Sequence, residues 1–248
     1  MMRHALLVLG AWASCIASAG AGEIKVLSAA AVQVPVIEAA RRFAGATGHR
    51  VTFEFATAGQ VDDRLAAGAR PDIVINGSGR IAARTSGRDT DAASVRDLGT
   101  VRIGVAARKG AVRPDLSSVA KFRDALLRAE SIAYADPARG ATTGIHFSRI
   151  VDQLDLRGVL AGKTRLMANG IDVAEAVSRG EAELGITQIS EILHIDERTL
   201  VGPLPDAMQL ATTYTAWVPD PGNVVALQFL DMLLDEQSRK HFRASGFN

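Results

Sequence analysis

The chain has 248 residues, of which 48% are hydrophobic and 5% aromatic, with 28 Lys and Arg against 27 Asp and Glu. That length allows one large domain or two modest ones, each with its own buried core. Charges of both signs are mixed along the chain, so the clustered basic surface of a nucleic-acid-binding protein is not expected, and few aromatic residues are available for base stacking.

The first 21 residues are typical of a secretory signal peptide. A short basic start precedes an apolar run from Ala5 to Ile16, which is too short to span a bilayer, and small-residue cleavage sites follow it. Cys15 is the only cysteine and would also suit a lipoprotein anchor, which is the alternative. The mature chain then has no disulfide or thiolate metal site. We therefore expect a periplasmic protein without a cofactor or a bound metal.

The first third of the mature chain alternates strands and helices. Each predicted strand is followed by a turn of Ser, Thr, Ala or Gly and then by a helix. This order predicts a parallel sheet with right-handed crossovers, in which the carboxyl ends of the strands form a ligand crevice. The predicted strands cover residues 24–27, 51–55 and 72–76, and the helices cover 32–46, 61–67 and 79–85.

The remainder repeats this alternation after a polar stretch, residues 87–99, that we expect at the surface. Two β-α-β sets joined by long strands predict two lobes, residues 22–104 with 207–248 and residues 105–206. A cleft between two such lobes can close on a small ligand. The later strands are predicted at 101–107, 131–135, 163–167, 184–187, 200–204 and 211–219, and the helices at 117–129, 145–154, 171–178 and 222–242.

The stretch from Asp136 to Gly144 joins an apolar strand to a helix and resembles an anion seat. Thr142 or Thr143 is the predicted N-cap, because a threonine oxygen can accept from the free N–H groups of the first turn. Those N–H groups and the helix dipole attract an anion, to which Arg139 could add a forked guanidinium. The alternative is an ordinary capped loop of an α/β domain.

The order and spacing of several short motifs resemble the periplasmic molybdate-binding proteins of ABC transporters. The resemblance implies an α/β fold of the two-lobed type II solute-binding class, each lobe a mainly parallel sheet flanked by helices, with the ligand cleft between them. The motifs are LSAAA at residues 27–31, FATAG at 55–59, AGARPDI at 67–73, Asp136-Pro137, GIT at 185–187 and FRASGF at 242–247.

The positions that bind the oxyanion in this family have diverged here. Ala31 and the pair Ala58-Gly59 stand where the family usually has serine hydroxyls, and Gln188 stands where a tyrosine is frequent. Val173 matches a position that offers a backbone N–H. A buried oxyanion needs several donors, so molybdate or tungstate becomes an alternative ligand.

We expect instead a small organic di- or tricarboxylate. Arg139 could pair bidentately with a carboxylate, and neutral donors from threonine and glutamine would complete its binding. The predicted ligand-binding residues are Ala31, Thr57, Ala58, Gly59, Arg139, Thr142, Thr143, Val173 and Gln188. From the resemblance the other partner is an ABC permease. Nucleic acid is not an expected partner, and we expect a monomer that is not an integral membrane protein.

No motif in the sequence requires catalysis, so no catalytic residue is expected for a binding protein. A few proteins similar to this family are periplasmic isomerases that shift a double bond in a tricarboxylate, such as aconitate isomerase. That reaction needs a base to move a proton. His146, Asp136 and Glu191 are the possible bases for this alternative.

Overall fold

The structure is a computed structural model that describes residues 22–87 and 91–248. The predicted signal peptide lies outside the described residues. In the described part we identify nine strands, which are β1 (Glu23–Ala29), β2 (Arg50–Ala56), β3 (Ile73–Gly77), β4 (Val95–Ala107), β5 (Ile132–Ala135), β6 (Thr164–Met167), β7 (Leu184–Gln188), β8 (Leu200–Pro203) and β9 (Ala211–Trp217).

The same described ranges contain ten α-helices and several short 3-10 turns. The helices are α1 (Gln33–Thr47), α2 (Ala58–Ala66), α3 (Ser78–Thr85), α4 (Val119–Arg128), α5 (Thr142–Gln153), α6 (Arg157–Leu160), α7 (Gly170–Ser178), α8 (Ile189–Asp196), α9 (Val224–Leu234) and α10 (Glu236–Ala244).

One sheet runs through the molecule in the order β2-β1-β3-β9-β4-β7-β5-β6, with β8 paired to β4. Strands β1, β2 and β3 are parallel to one another, as are β5, β6 and β7. The long strand β4 joins the halves, because residues 95–102 pair with β9 and residues 103–107 pair with β7. The parallel β-α-β organisation expected from the sequence is therefore confirmed.

Each half of the sheet has its own apolar core. The first lobe, which we define by β1–β3, β9, α1–α3, α9 and α10, packs around the fully buried rings of Phe43 and Phe229. The second lobe, defined by α4–α8 and β5–β8, packs around Phe122 and Phe147. These two cores give the two-lobed α/β architecture. The exact lobe bounds stay a prediction.

The first half of β4 corrects one expectation. The stretch 87–99 was expected at the surface, but from Val95 onward it is a strand that pairs with β9, and Leu98 is buried. Polar residues interrupt the alternation of apolar residues that would mark this strand in the sequence. One of them, Asp97, has a hydrogen-bond partner on the neighbouring strand, because the Thr215 hydroxyl donates to its carboxylate at 2.5 Å. Residues 88–90 of this expectation lie outside the described residues.

Candidate ligand-binding cleft

A cleft opens where the carboxyl ends of strands from both lobes meet. Its first-lobe wall follows β1 and β2 and includes one residue of β9, while its second-lobe wall follows β5, β6 and β7. The lining residues are Ala29, Ala30, Ala31, Ala56, Thr57, Ala58 and Tyr214 from the first lobe and Ala141, Thr142, Thr143, Asn169, Gly170, Gln188 and Glu191 from the second. None of these described residues is a Lys, Arg or His.

The first-lobe wall consists of short side chains around helix starts. Ala30 and Ala31 lie in a 3-10 turn that leads into α1, and no side chain caps that turn. Thr57 caps α2: its hydroxyl accepts from the Gln60 N–H at 3.2 Å, and its own N–H donates to Gln60 Oε1 at 3.1 Å. Small side chains here let a ligand approach the backbone N–H groups closely.

Helix α5 begins at Thr142, and its N-cap is Ala141, which offers no capping side chain. The prediction that Thr142 or Thr143 is the N-cap is therefore wrong, because both threonines already lie inside the first turn. Among the described residues, neither hydroxyl makes a hydrogen bond. The first-turn N–H groups also have no partner within the helix, so this helix start offers both backbone and hydroxyl donors to the cleft.

The start of α5 lies against the end of β5. A Cβ added at Gly144 would be 1.9 Å from the Ala135 carbonyl oxygen. Only glycine therefore allows the helix to approach the strand this closely, and the approach fixes the position of Thr143, which is 4% exposed.

Helix α7 begins at Gly170, directly beneath the carboxyl group of Glu191. The Asn169 side chain caps the helix by accepting from the Asp172 N–H at 3.0 Å. A Cβ at Gly170 would lie 1.9 Å from Glu191 Oε2 and 2.3 Å from Thr187 Oγ1. The close packing of strand, glycine and glutamate therefore holds the carboxyl group in one place.

Glu191 is a buried acid on the cleft wall. Its Oε2 atom accepts from the Thr187 hydroxyl and from the Gln188 N–H, the latter at 3.2 Å. Burial raises the pKa of Glu191 to about 6, although these two hydrogen bonds favour the ionised form; the nearby charge of Asp172 raises the pKa further. The group can therefore gain or lose a proton near neutral pH.

Gln188 and Tyr214 meet across the sheet at the back of the cleft. Gln188 Nε2 lies 3.4 Å from the Tyr214 hydroxyl. Burial and the neighbouring Glu191 charge raise the pKa of Tyr214, so the phenol remains protonated at neutral pH. Tyr214, Asn169 and Gly170 also line the cleft but were not predicted to bind ligand, because no local sequence pattern marks them.

The two lobes touch at the mouth of the cleft through a contact that we call the clasp, formed by Thr57, Gly59, Arg139 and Gly140. The Thr57 hydroxyl donates to the Arg139 carbonyl at 2.5 Å, and the Gly59 N–H donates to the Gly140 carbonyl at 3.0 Å. The cleft has a volume of about 30 Å³, room for one or two water molecules. A polycarboxylate is larger than this, so we expect the lobes to separate when one binds.

Six of the nine predicted ligand-binding residues line the cleft: Ala31, Thr57, Ala58, Thr142, Thr143 and Gln188. The other three lie beside it. Gly59 belongs to the clasp, and the exposed Arg139 donates from Nε to the Ala168 carbonyl at 3.1 Å. Val173 is fully buried, and its N–H donates to the carbonyl of the N-cap residue Asn169 at 3.4 Å. Ligand contact by each of the nine stays a prediction.

Of the three possible bases, Glu191 alone lines the cleft. Asp136 caps a short turn by accepting from the Ala138 N–H at 3.0 Å. His146 Nε2 lies 2.8 Å from the Met208 carbonyl, and His146 is not among the residues that line the cleft. Across residues 22–87 and 91–248, no group of three His, Cys, Asp or Glu side chains is arranged to hold a metal ion.

Comparison with known proteins agrees with this geometry. Residues 24–248 match the family of bacterial extracellular solute-binding proteins. An aconitate isomerase from a Pseudomonas species is 32% identical over 199 residues, which cover 77% of this chain and 74% of that protein.

Solved structures share the fold at low sequence identity. The periplasmic molybdate-binding protein of Azotobacter vinelandii matches with a TM-score of 0.71 at 16% identity, covering 91% of this chain and 98% of that one. The periplasmic binding protein AfuA of Actinobacillus pleuropneumoniae, solved with exogenous fructose-6-phosphate bound, matches with a TM-score of 0.68 at 14% identity, covering 91% and 83%. The chain therefore belongs to the bacterial extracellular solute-binding proteins and has their two-lobed type II fold.

Proposed function

We propose that this protein captures a small organic di- or tricarboxylate in the cleft between its lobes. The observation that carries the proposal is the convergence of helix starts on one cleft: the turn before α1, and α2, α5 and α7, all begin there. Each helix start carries about half a positive charge and unpaired N–H groups. Together they can neutralise an anion without a lysine or arginine in the wall.

The polar side chains favour a carboxylate over molybdate. From the resemblance, Ala31 and the pair Ala58-Gly59 stand where molybdate binders usually have serine hydroxyls. Thr142, Thr143 and Gln188 offer neutral donors from the second lobe. The 32% identical relative, named for an isomerase of aconitate, which is a tricarboxylate, supports the same ligand class.

A thermal-shift panel tests this proposal. Purified protein is heated with molybdate, tungstate, sulfate, malonate, citrate, cis-aconitate or trans-aconitate. A ligand at one hundred times its Kd stabilises the protein by about 2.7 kcal/mol, which raises Tm by roughly 5–10 °C in a chain of this size. We expect the shift with at least one carboxylate. A shift with molybdate or tungstate alone would contradict the proposal.

A second candidate function is isomerisation of the bound carboxylate, and the position of Glu191 favours it. In the substrate, a C–H bond next to a carboxylate breaks and its proton passes to the Glu191 carboxylate. The electron pair of that bond spreads into the neighbouring double bond and carboxylate, and a proton returns to the other end of the allylic system. Helix-start N–H groups would stabilise the intermediate charge.

A turnover assay separates the two candidates. The protein is incubated with cis-aconitate, and the vinyl signals of the cis and trans isomers are followed by NMR. A binding protein returns the acid unchanged, whereas an isomerase converts it, and Glu191→Gln would then lose the activity. The exposed Glu197→Gln, at the far end of α8, is the matched control.

We also propose a periplasmic location and delivery of the ligand to an ABC permease. The extracellular solute-binding family and the periplasmic neighbours support this location. Within the described ranges, no helix combines the length and the apolar character that crossing a bilayer requires.

A further inference from the structure

The Glu191 carboxyl group is unusual in a cleft built to attract anions. Its Oε2 atom is committed to Thr187 and to the Gln188 N–H. Among the described residues no hydrogen bond reaches Oε1, although the residue is only 6% exposed and lines the cleft. Oε1 is therefore available to a bound ligand.

Two ionised acids that meet in this place would repel each other. The lining residues include no Lys, Arg or His whose positive charge could offset this repulsion. A carboxylate oxygen of the ligand and Glu191 Oε1 can approach closely only if a proton lies between them, as for any pair of neighbouring carboxyl groups. The proton then turns repulsion into a charge-assisted hydrogen bond.

The other groups that face Glu191 do not remove this need. From α7, Asp172 adds a second negative charge, and from β9 Tyr214 contributes a neutral phenol. From β7, Thr187 and Gln188 are neutral donors to Oε2. From β4, Gly104 lies against the apolar side chains of Ile189 and Ile192.

We propose that Glu191 is a specificity-determining residue that makes ligand capture proton-linked: each anion bound is accompanied by one proton, shared between Glu191 Oε1 and a ligand oxygen. The site therefore favours anions that carry an oxygen basic enough to share that proton, as a carboxylate does. This inference rests on the proposed capture of a carboxylate and not on the isomerase candidate, in which Glu191 must be ionised when substrate is bound.

The linkage has a defined direction with pH. The pKa of Glu191 without ligand is about 6, so above that pH the free protein must take up a proton to bind. A nearby anion raises the pKa of the carboxyl group in the complex. Affinity is therefore highest at or below pH 6 and falls, by up to tenfold per pH unit, between the free and the bound pKa.

Calorimetric titration with trans-aconitate at pH 7.5, in two buffers of different ionisation enthalpy, measures the protons taken up. We expect the wild type and the Glu197→Gln control to take up close to one proton. In Glu191→Gln the amide N–H₂ can donate at any pH, so uptake should fall to the small value that the ligand's own titration gives. Its affinity should be flat between pH 6.5 and 8.5.

The outcomes separate the two proposals. Binding of trans-aconitate to the wild type without proton uptake would overturn the linkage and leave carboxylate binding intact. Equal uptake in Glu191→Gln would also overturn it. If trans-aconitate, citrate and malonate all fail to bind, the proposed function falls and this inference falls with it. The wild-type uptake needs no variant, so it remains decisive if Glu191→Gln does not fold.

Discussion

The first-lobe wall of the cleft is made of five alanines, one capping threonine and a tyrosine, whereas the second-lobe wall carries two threonines, an asparagine, a glutamine and a glutamate. Both walls present helix starts, so both can attract an anion through backbone N–H groups. The difference suggests a division of work between the lobes. The first lobe supplies a general anion seat, while the second supplies the side chains that distinguish one anion from another.

The largest expected effect comes from breaking the contact that brings the walls together. In Gly59→Ala, the new Cβ would lie 2.6 Å from the Gly140 Cα atom across the clasp. Carbon atoms that are not bonded cannot approach this closely, and the Gly140 backbone cannot rotate away as a side chain could. Overpacking of this kind costs about 1–3 kcal/mol. We expect this strain to be relieved by opening of the lobes, so that carboxylate affinity falls roughly tenfold to hundredfold, measured by calorimetry, with Tm nearly unchanged.

Gly45→Ala is the control for the clasp, because Gly45 lies in α1 and has no atom within 4 Å of its added Cβ. It should bind like the wild type. Equal affinities of Gly59→Ala and Gly45→Ala would show that the clasp does not contribute to capture.

Glu191→Gln tests, through the free energy of unfolding, whether the second-lobe wall carries a titratable group. An acid whose pKa is raised from 4.5 to about 6 on folding holds its proton more tightly in the folded state. Stability therefore falls as pH rises through this window, by about 2 kcal/mol in total at 1.36 kcal/mol per pH unit. At pH 8 the ligand-free variant should be about 2 kcal/mol more stable than the wild type, with a Tm roughly 4–8 °C higher.

At pH 4, where the glutamate is mostly protonated in both states, the two proteins should have similar stability. Calorimetric unfolding at both pH values checks this. A variant that is equally destabilised at pH 4 and pH 8 would mean that Glu191 acts by packing alone, and the second lobe would lose its proposed titratable group.

Thr143→Val removes a hydroxyl from the second-lobe wall and keeps the volume nearly constant. A hydrogen bond to a charged ligand is worth about 1.5–3 kcal/mol, so we expect at least about tenfold weaker carboxylate binding. Thr52→Val, in the first-lobe strand β2 and away from the cleft, is the control. If both variants keep wild-type affinity in a calorimetric titration, the hydroxyl is not a ligand contact.

The smallest effect is expected for Arg139→Ala. Its guanidinium is exposed and its Nε already donates to the Ala168 carbonyl, so water and salt screen its field at the cleft. We expect about twofold weaker binding at low salt and no difference at high salt. The exposed Arg123→Ala on α4 is the control for net charge. A tenfold loss specific to Arg139→Ala would mean that this arginine turns inward to the ligand.

Residue patterns predicted the fold well where local signals were strong. The small-residue turns after β1 and β2 and the Thr142–Thr143 helix start indicated the cleft, because these features depend on residues adjacent in sequence. The first half of β4 was missed, since its strand character depends on pairing with β9, more than 100 residues away. The N-cap of α5 was predicted at Thr142 or Thr143, one or two residues too late, because the helix begins without a capping side chain.

The chemistry of the cleft was harder to predict for the same reason. Glu191 resembles an ordinary first-turn acid of a helix in the sequence, and only the packing of α7 through Gly170 reveals that it is buried at the ligand site. Arg139 was predicted as a ligand because its guanidinium could pair with a carboxylate; its Nε donates to the Ala168 carbonyl, and its contact with ligand stays a prediction. Side-chain direction in loops depends on tertiary contacts that local patterns do not contain.

A competition titration tests the central claim most directly. The protein is saturated with trans-aconitate near neutral pH and titrated with molybdate, and the displacement is followed by calorimetry. If the second-lobe side chains select carboxylates, molybdate should displace trans-aconitate only at a concentration at least tenfold higher. Displacement by an equal or lower concentration of molybdate would contradict the proposed selectivity for carboxylates and favour molybdate as the ligand.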